Sequence, residues 1–148
     1  MQTVSTASPE TRPNVSGHSL GLKTANVLQV AQRLQKGLSY AALERLRKQS
    51  GLSAEAVAAV TQIPRRTLAR RKVQGKLTPQ ESERLYRLAI LFEKTVELFE
   101  GDVAAAREWL QSPAKAFAGR TPLQMAETEV GAREVEHLIG RLEHGVFA

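Results

Sequence analysis

A cluster of positive side chains at residues 65–72 is the part of the sequence best suited to binding chemistry. The segment reads Arg-Arg-Thr-Leu-Ala-Arg-Arg-Lys, with five cations and no acid in eight positions. An arginine guanidinium can donate two parallel hydrogen bonds to a phosphate or to a guanine edge. A solvated helix face is the alternative interpretation of such a run. The segment predicts nucleic-acid contacts from Arg65, Arg66, Thr67, Arg70, Arg71 and Lys72.

Two short predicted helices and a tight turn position this cluster. Ser53 can cap the first helix, and Leu52 before the cap can pack on Val57 as a hydrophobic staple. Pro64 suits the first turn of the second helix, which we predict to run to about Val73. This spacing is typical of a helix-turn-helix, whose second helix enters the major groove of DNA. The cap, the turn and the charge together favour DNA binding over the solvated face.

The charge of the chain is divided unevenly along its length. Residues 23–76 hold 12 Lys and Arg against Glu44 and Glu55, which gives a net charge of +10. Residues 77–148 hold 8 Lys and Arg against 12 acids, which gives a net charge of −4. A strongly basic segment is expected to meet a polyanion, and an acidic one is not. We therefore expect two interaction surfaces, of which only the first binds nucleic acid.

Residues suited to catalysis are sparse. Gly75-Lys76 fails the phosphate-binding loop pattern, because that pattern needs glycine at position 70 and Ser or Thr at position 77. Glu134 and His137 form one Glu-x-x-His pair, but a carboxylate di-metal site needs two such pairs and two further carboxylates. The sequence has no cysteine, which removes disulfides and thiolate chemistry. We therefore expect neither an enzyme nor a bound metal or cofactor.

The spacing of apolar residues is helical along most of the chain. The first predicted helix ends before Gly37, and the second begins after Ser39 and ends before Gly51. The apolar stripe of the first helix consists of Val27, Val30, Ala31 and Leu34. No segment alternates with the period of two residues that marks a strand, so the predicted fold class is all-α.

A longer helix is predicted after the capping box at residues 78–81, Thr-Pro-Gln-Glu. Asp102 can cap the helix that follows, and Ser112-Pro113 breaks it. A second capping box at residues 121–124 opens a short helix, and Thr128 caps the last one. The apolar stripe of the long helix most simply forms core together with Trp109; it consists of Leu85, Leu88, Phe92, Val96 and Phe99.

Composition divides the chain into four predicted regions. Residues 1–22 are rich in Ser, Thr, Pro and Gly and are predicted to form a disordered leader. Residues 23–76 form the basic helix-turn-helix region, residues 77–111 the core or dimerisation helices, and residues 112–148 a C-terminal domain. No apolar run approaches the roughly 20 residues of a membrane span, and no signal peptide is found. We therefore expect a cytoplasmic protein without membrane partners.

The last predicted helix is followed by an apolar tail, which consists of Gly145, Val146, Phe147 and Ala148. Val146 can fold back onto Leu142 or Ile139 as a hydrophobic cap of the helix. Alternatively, the Val-Phe pair fills a pocket in a partner. The residues alone leave both interpretations open.

Three motifs near the C-terminus follow one another at a fixed spacing. They are Gly-Arg-Thr-Pro-Leu at 119–123, Thr-Glu-Val-Gly at 128–131, and the final helix with its Gly-Val tail at 138–148. Together they resemble the toxin-binding domain of the Xre/MbcA/ParS antitoxins, the partners of RES-domain toxins. Residues 67–72 and 77–82 are similar to the Xre-like helix-turn-helix of the same family. One departure is Pro64, which stands where related sequences often have a serine cap.

The resemblance implies an all-α antitoxin with an Xre-like helix-turn-helix region followed by a small helical toxin-binding domain. In this family the antitoxin occludes its toxin directly, RES toxins consume NAD, and the complex binds double-stranded DNA of its own promoter. A dimer and a higher heteromeric complex are expected, because helix-turn-helix proteins read paired half-sites. The expected toxin contacts are Arg120, Leu138, Arg141, Leu142, Glu143, His144, Gly145, Val146, Phe147 and Ala148.

The chemistry of the tail suits occlusion of an NAD site. Such a cleft accepts an anionic pyrophosphate and an apolar ring, and the tail offers Glu143 with the terminal carboxylate as anions and Val146 with Phe147 as apolar groups. Arg120 and Arg141 fit a surface position and a toxin contact equally well. The alternative of a different class is a helix-turn-helix transcriptional regulator whose C-terminal domain dimerises or senses a ligand.

Overall fold

The computed structural model describes residues 16–23 and 26–145, and these residues form eight α-helices and two short 3₁₀ turns. The 3₁₀ turns cover His18–Leu20 and Lys115–Phe117. The helices are α1 (Val27–Lys36), α2 (Tyr40–Ser50), α3 (Ala54–Thr61), α4 (Arg65–Gln74), α5 (Pro79–Leu98), α6 (Val103–Leu110), α7 (Pro122–Met125) and α8 (Glu129–Glu143). The predicted all-α class is confirmed. No helix in the described ranges has the length and apolarity needed to cross a membrane.

The helix ends follow local sequence rules. Both predicted capping boxes are present, with Thr78 and Glu81 at the start of α5 and Thr121 and Gln124 at the start of α7. The predicted single caps are present as well; they are Ser39, Ser53, Asp102 and Thr128. Pro64 flanks α4 instead of forming its first turn, so α4 begins at Arg65. These caps satisfy backbone N–H groups that a helix leaves without partners.

Helix α5 is the axis of the fold. It packs against α1, α2, α3, α6 and α8. Leu85, Leu88 and Phe92 on its apolar stripe are at most 3% exposed. At its C-terminal end Phe99 meets Trp109 of α6, with ring centroids 6.5 Å apart and planes tilted by 55°. Leu85, Leu88 and Phe92 therefore lie in the core as predicted, whereas Val96 and Phe99 of the same stripe are only half-buried.

Backbone pairing fixes the position of α4. Ser39 and Lys76 form an isolated antiparallel bridge, in which Leu77 N donates to Leu38 O at 2.8 Å. In addition, Tyr40 N donates to Gly75 O at 3.0 Å. The end of α4 is thus held against the start of α2. This pairing joins residues more than 30 positions apart and leaves no periodic signal in the sequence.

The predicted disordered leader is wrong for residues 16–22, whereas residues 1–15 lie outside the described part. Leu20 and Leu22 are 1% and 5% exposed, so they belong to the core. Ser19 donates from its N–H and its hydroxyl to Glu93 Oε2, at 3.0 and 2.5 Å. A buried carboxylate 74 residues away thus holds this segment, and composition gives no sign of such a partner.

The predicted apolar stripe of α1 is also partly wrong. Val30 is 4% exposed and lies in the core, but Val27 is 58% exposed. Leu28 beside it is 66% exposed. Helical period alone places Val27 on the buried face, yet the core does not cover the first turn of α1. The stripe is therefore shorter than the sequence indicates.

Candidate functional site

Helix α4 has a buried side and an exposed side. Leu68 is 5% exposed and anchors the helix to the core. Arg66, Ala69, Arg70 and Val73 are all exposed, and their spacing places them on one outward face. The two arginines could be predicted from their charge, whereas Ala69 and Val73 carry no charge and were not among the predicted contacts. The signal that identifies these two is the helical period that joins them to the arginines.

The predicted cations of α4 differ in their availability. Arg66, Arg70 and Lys72 are exposed and have no ion-pair partner among the described residues. Arg65 Nη1 lies 2.9 Å from Glu55 Oε2, in an exposed pair of the kind that contributes little to stability. Hydrogen bonds to backbone and to Arg65 hold the pKa of Glu55 below its usual value. Arg65 is therefore held only by a weak ion pair, whereas Arg66, Arg70 and Lys72 are available to bind an anion.

The structure corrects the assignment of Arg71 as a nucleic-acid contact. Its guanidinium donates from Nε and Nη2 to the two carboxylate oxygens of Glu81, at 2.8 and 3.0 Å. The side chains of Arg71 and Glu81 are only 15% and 8% exposed. The helical period turns Arg71 toward α5, away from the outward face. Arg71 is thus a structural link between α4 and the capping box of α5.

Replacing Arg71 by alanine is expected to lower the melting temperature by several degrees and to leave the salt dependence of nucleic-acid binding unchanged. Burial raises the pKa of Glu81, but hydrogen bonds from Arg71 and Thr78 outweigh it, so the pKa lies below the ordinary value of 4.5. The pair therefore stabilises the fold fully above pH 4.5, and this contribution is lost as the pH falls through the folded-state pKa. Thermal melts of both proteins across pH 3–7, roughly spanning that titration, measure the effect.

The matched control is Arg70→Ala, which removes an exposed arginine from the same helix. Its melting temperature is expected to equal that of the parent chain. A phosphate contact, in contrast, contributes about one unit to the slope of log affinity against log salt. An Arg71→Ala chain with a reduced slope and an unchanged melting temperature would contradict the structural role.

Helix α8 presents its apolar stripe to the core. Val135, Leu138 and Ile139 are at most 8% exposed, and Leu142 is partly buried against the same cluster. The expected toxin contact by Leu138 is therefore corrected. Its spacing from Val135 and Leu142 places it on the face that packs inward, so a partner does not reach it without opening the core. Lys94 on α5 and Glu136 on α8, 3.3 Å apart, hold the two helices together.

The end of α8 is open to a partner. Glu143, His144 and Gly145 are exposed. The His144 ring lies with Nδ1 2.7 Å from Gly140 O, and Gly145 has a φ of +72°, which turns the chain out of the helix. Arg141 is half-buried, and its Nε has no hydrogen-bond partner among the described residues. Val146, Phe147 and Ala148 lie outside those residues, so both interpretations of the tail stay predictions.

The loops before α8 bring α7 and α8 close together. Gly131 is buried, and a Cβ at this position would overlap the carbonyl oxygen of Met125. Thr128 caps the helix through a hydrogen bond from Gly131 N at 3.0 Å. The Thr-Glu-Val-Gly step is therefore a packing requirement. Arg120 is exposed in the loop that enters α7, where its backbone oxygen accepts from Ala114 N.

Comparisons with known proteins assign both halves of this architecture. Residues 29–89 match the family described as Antitoxin Xre-like helix-turn-helix domain. Residues 94–145 match the Antitoxin Xre/MbcA/ParS C-terminal toxin-binding domain. The two matched ranges meet inside α5.

Similar proteins support the same assignment, two of them along almost the whole length of both chains. The chain is similar to a protein named Antitoxin Xre from Yersinia enterocolitica, with 35% identity over 141 residues and 95% of each chain covered. A protein of the same name from Photorhabdus laumondii is 30% identical over 146 residues, which cover 98% of this chain and 99% of the relative. Another, from Pseudomonas putida, is 37% identical over 84 residues, 56% of this chain and 52% of the relative.

Proposed function

The chain belongs to the Xre antitoxin family, and we propose that it neutralises a RES-domain toxin that consumes NAD by binding the toxin directly. It is not an enzyme, because the family consists of regulatory antitoxins. Its two domains imply a toxin and DNA as partners. The observation that carries the proposal is the match of residues 94–145 to the toxin-binding domain.

We further propose that residues 140–148 enter the active-site cleft of the toxin and compete with NAD. Gly145 turns the chain away from α8. A Cβ atom placed on Gly145 would have no atom of a described residue within 4 Å, apart from its two neighbours in the chain. Glu143 before it is an exposed anion. Val146 and Phe147 supply apolar groups that an NAD cleft can accept. The exposed end of α8 supports a role outside the core for this segment.

The basic half has a separate proposed role in promoter binding. Arg65, Arg66, Thr67, Arg70 and Lys72 are the proposed DNA contacts, since the exposed cations of α4 lie on or beside its outward face. A dimer that reads two half-sites, assembled with toxin into a larger complex, is part of the same proposal. Binding to the promoter of its own operon would then link the synthesis of antitoxin to the amount of antitoxin that is bound to toxin.

Co-expression with the protein encoded in the adjacent reading frame, which this proposal expects to be a RES-domain toxin, tests the main proposal. The full chain is expected to co-purify with that protein and to keep cellular NAD at the level of cells without toxin. Toxin alone is expected to deplete NAD and to arrest growth. If the two proteins form no complex, or if NAD falls equally in both strains, the proposal is wrong.

A second candidate function is that of a transcriptional regulator that senses a ligand. A groove of about 530 Å³ lies beside α5, within the size range of small-molecule sites. Its walls include the apolar residues Ile90, Phe92, Val96 and Val103, and the buried carboxylate of Glu93. DNA affinity that changes with a small metabolite, in a chain that captures no toxin, would favour this function over the first.

A further inference from the structure

We propose that Val73, assisted by Ala69, contacts the C5-methyl group of a thymine in the major groove, so that the preferred DNA site carries thymine at one position per half-site. The inference rests on the proposed DNA-binding function and deepens it. It assigns a role in base recognition to two apolar residues that no charge-based argument selects. The geometry of the outward face of α4 supports the assignment.

Val73 is the most exposed of the large apolar side chains that stand out from the described surface. It is 89% exposed, compared with 73% for Val130 on α8 and 66% for Leu28 on α1. It follows Ala69 by four positions and Arg66 by seven, which places all three on the face that also carries Arg70. The face that would meet DNA is therefore part cationic and part apolar.

Folding gives no reason for valine at this position. A β-branched side chain loses rotamer freedom in a helix, so valine is a poorer helix former than alanine. A valine in a core recovers that loss by packing, but Val73 is almost fully exposed. The residue thus costs helix stability without a compensating contact among the residues that the structure describes. A contact with a partner supplies the missing compensation.

The charges around Val73 favour DNA as that partner. The cores of protein–protein interfaces are depleted of charged residues. Arg70 and Lys72 lie within one helical turn of Val73 along α4, Arg66 lies two turns away on the same face, and α4 contains no acid. A DNA duplex can bind both the cationic and the apolar part of this face. Its phosphates attract the cations, and thymine alone among the bases presents a methyl group in the major groove.

The spacing along the helix indicates where the thymine lies. Seven residues of α-helix separate Arg66 from Val73, a rise of roughly 10 Å. Base pairs of B-DNA are spaced by about 3.4 Å along the axis. The thymine is therefore expected within about three base-pair steps of the base or phosphate that Arg66 contacts.

Replacing thymine by deoxyuridine in promoter DNA tests the inference, because uracil pairs like thymine but lacks the methyl group. Each thymine of the protected promoter segment is replaced in turn, and Kd is measured by fluorescence anisotropy at one fixed salt concentration. The parent chain is expected to bind about fourfold more weakly when the critical thymine is replaced, as the loss of one buried methyl group implies. Val73→Ala is expected to lose most of this difference between the two duplexes, with a small remainder due to Ala69.

Val130→Ala is the matched control, since it shortens an exposed valine on the acidic half. It is expected to keep the full discrimination between thymine and deoxyuridine. If the parent chain binds every substituted duplex as tightly as the original, the inference is wrong while DNA binding stands. If Val73→Ala discriminates as strongly as the parent chain, another residue reads the methyl group and the assignment is wrong. A parent chain that binds no duplex would overturn the proposed DNA function itself.

Discussion

A chain shortened to end at His144 is expected to lose toxin neutralisation and to keep its DNA affinity. The deletion removes Gly145, Val146, Phe147 and Ala148, which in our proposal occupy the toxin cleft. Aromatic anchors in buried pockets dominate binding energy, so the Kd for the toxin is expected to rise by roughly 100-fold. Titration of toxin activity against NAD measures the loss, and promoter binding by the same chain measures what is retained.

The same truncation separates the two interpretations of the tail. If Val146 packs back on Leu142 or Ile139, its removal lowers the melting temperature and leaves the toxin contact largely intact. If the tail enters the toxin, stability changes little, because the deletion removes the hydrogen bond from Gly145 N to Leu142 O but keeps the bond from His144 N to Gly140 O at the helix end. A full-length chain with Phe147→Ser and Val146→Ser serves as the length-matched variant. Full protection by the truncated chain would contradict occlusion.

Replacing Arg66 and Arg70 together by alanine is expected to weaken promoter binding by about 100-fold and to leave toxin neutralisation intact. Both side chains are exposed on one face and have no ion pair with a described residue, so the double replacement is expected to have little effect on the fold. Each bidentate contact to a base edge is worth about 1–3 kcal/mol of discrimination against the wrong base, so two such contacts account for a loss of this size. If both contact phosphates, the slope of log affinity against log salt falls by about two.

Arg133→Ala is the control for the arginine pair. Arg133 is exposed on α8 and forms an ion pair with Glu129 at 3.3 Å. Its replacement also removes positive charge, but from the acidic half of the chain. Promoter affinity and salt slope are expected to stay near those of the parent. An equal loss for this variant would show that net charge, and not the face of α4, determines binding.

Local features of this fold could be predicted from sequence, since caps and turns depend on neighbouring residues. The boxes at Thr78 and Thr121 form as predicted because each needs only a partner three positions away. The helix-turn-helix likewise follows from a cap, a turn and an anchor at Leu68. These patterns depend on residues close in sequence, and the tertiary contacts of the fold do not disrupt them.

Two of the errors concern partners that are distant in sequence. Arg71 belongs to a charge run, but Glu81 on another helix draws it inward. Ser19 and Leu20 lie in a segment of disordered composition, yet they meet Glu93 and the core. Leu138 follows the helical period of the buried face of α8, so its expected toxin contact came from the family resemblance and not from periodicity. Charge and period define faces, but only the assembled helices decide which face is covered.

The meeting of the two matched ranges inside α5 gives the protein a mechanical constraint. A helix turns by about 100° and rises by about 1.5 Å per residue, so one inserted residue between positions 89 and 94 would rotate the toxin-binding half by more than a quarter-turn about the axis. The contact between α3 and α7 would then be broken. An insertion of seven residues restores the rotation to within about 20° but moves the halves roughly 10 Å apart. The rotational orientation of the toxin-binding half relative to the DNA-binding half therefore depends on the number of α5 residues between them, because each residue adds about 100° of rotation.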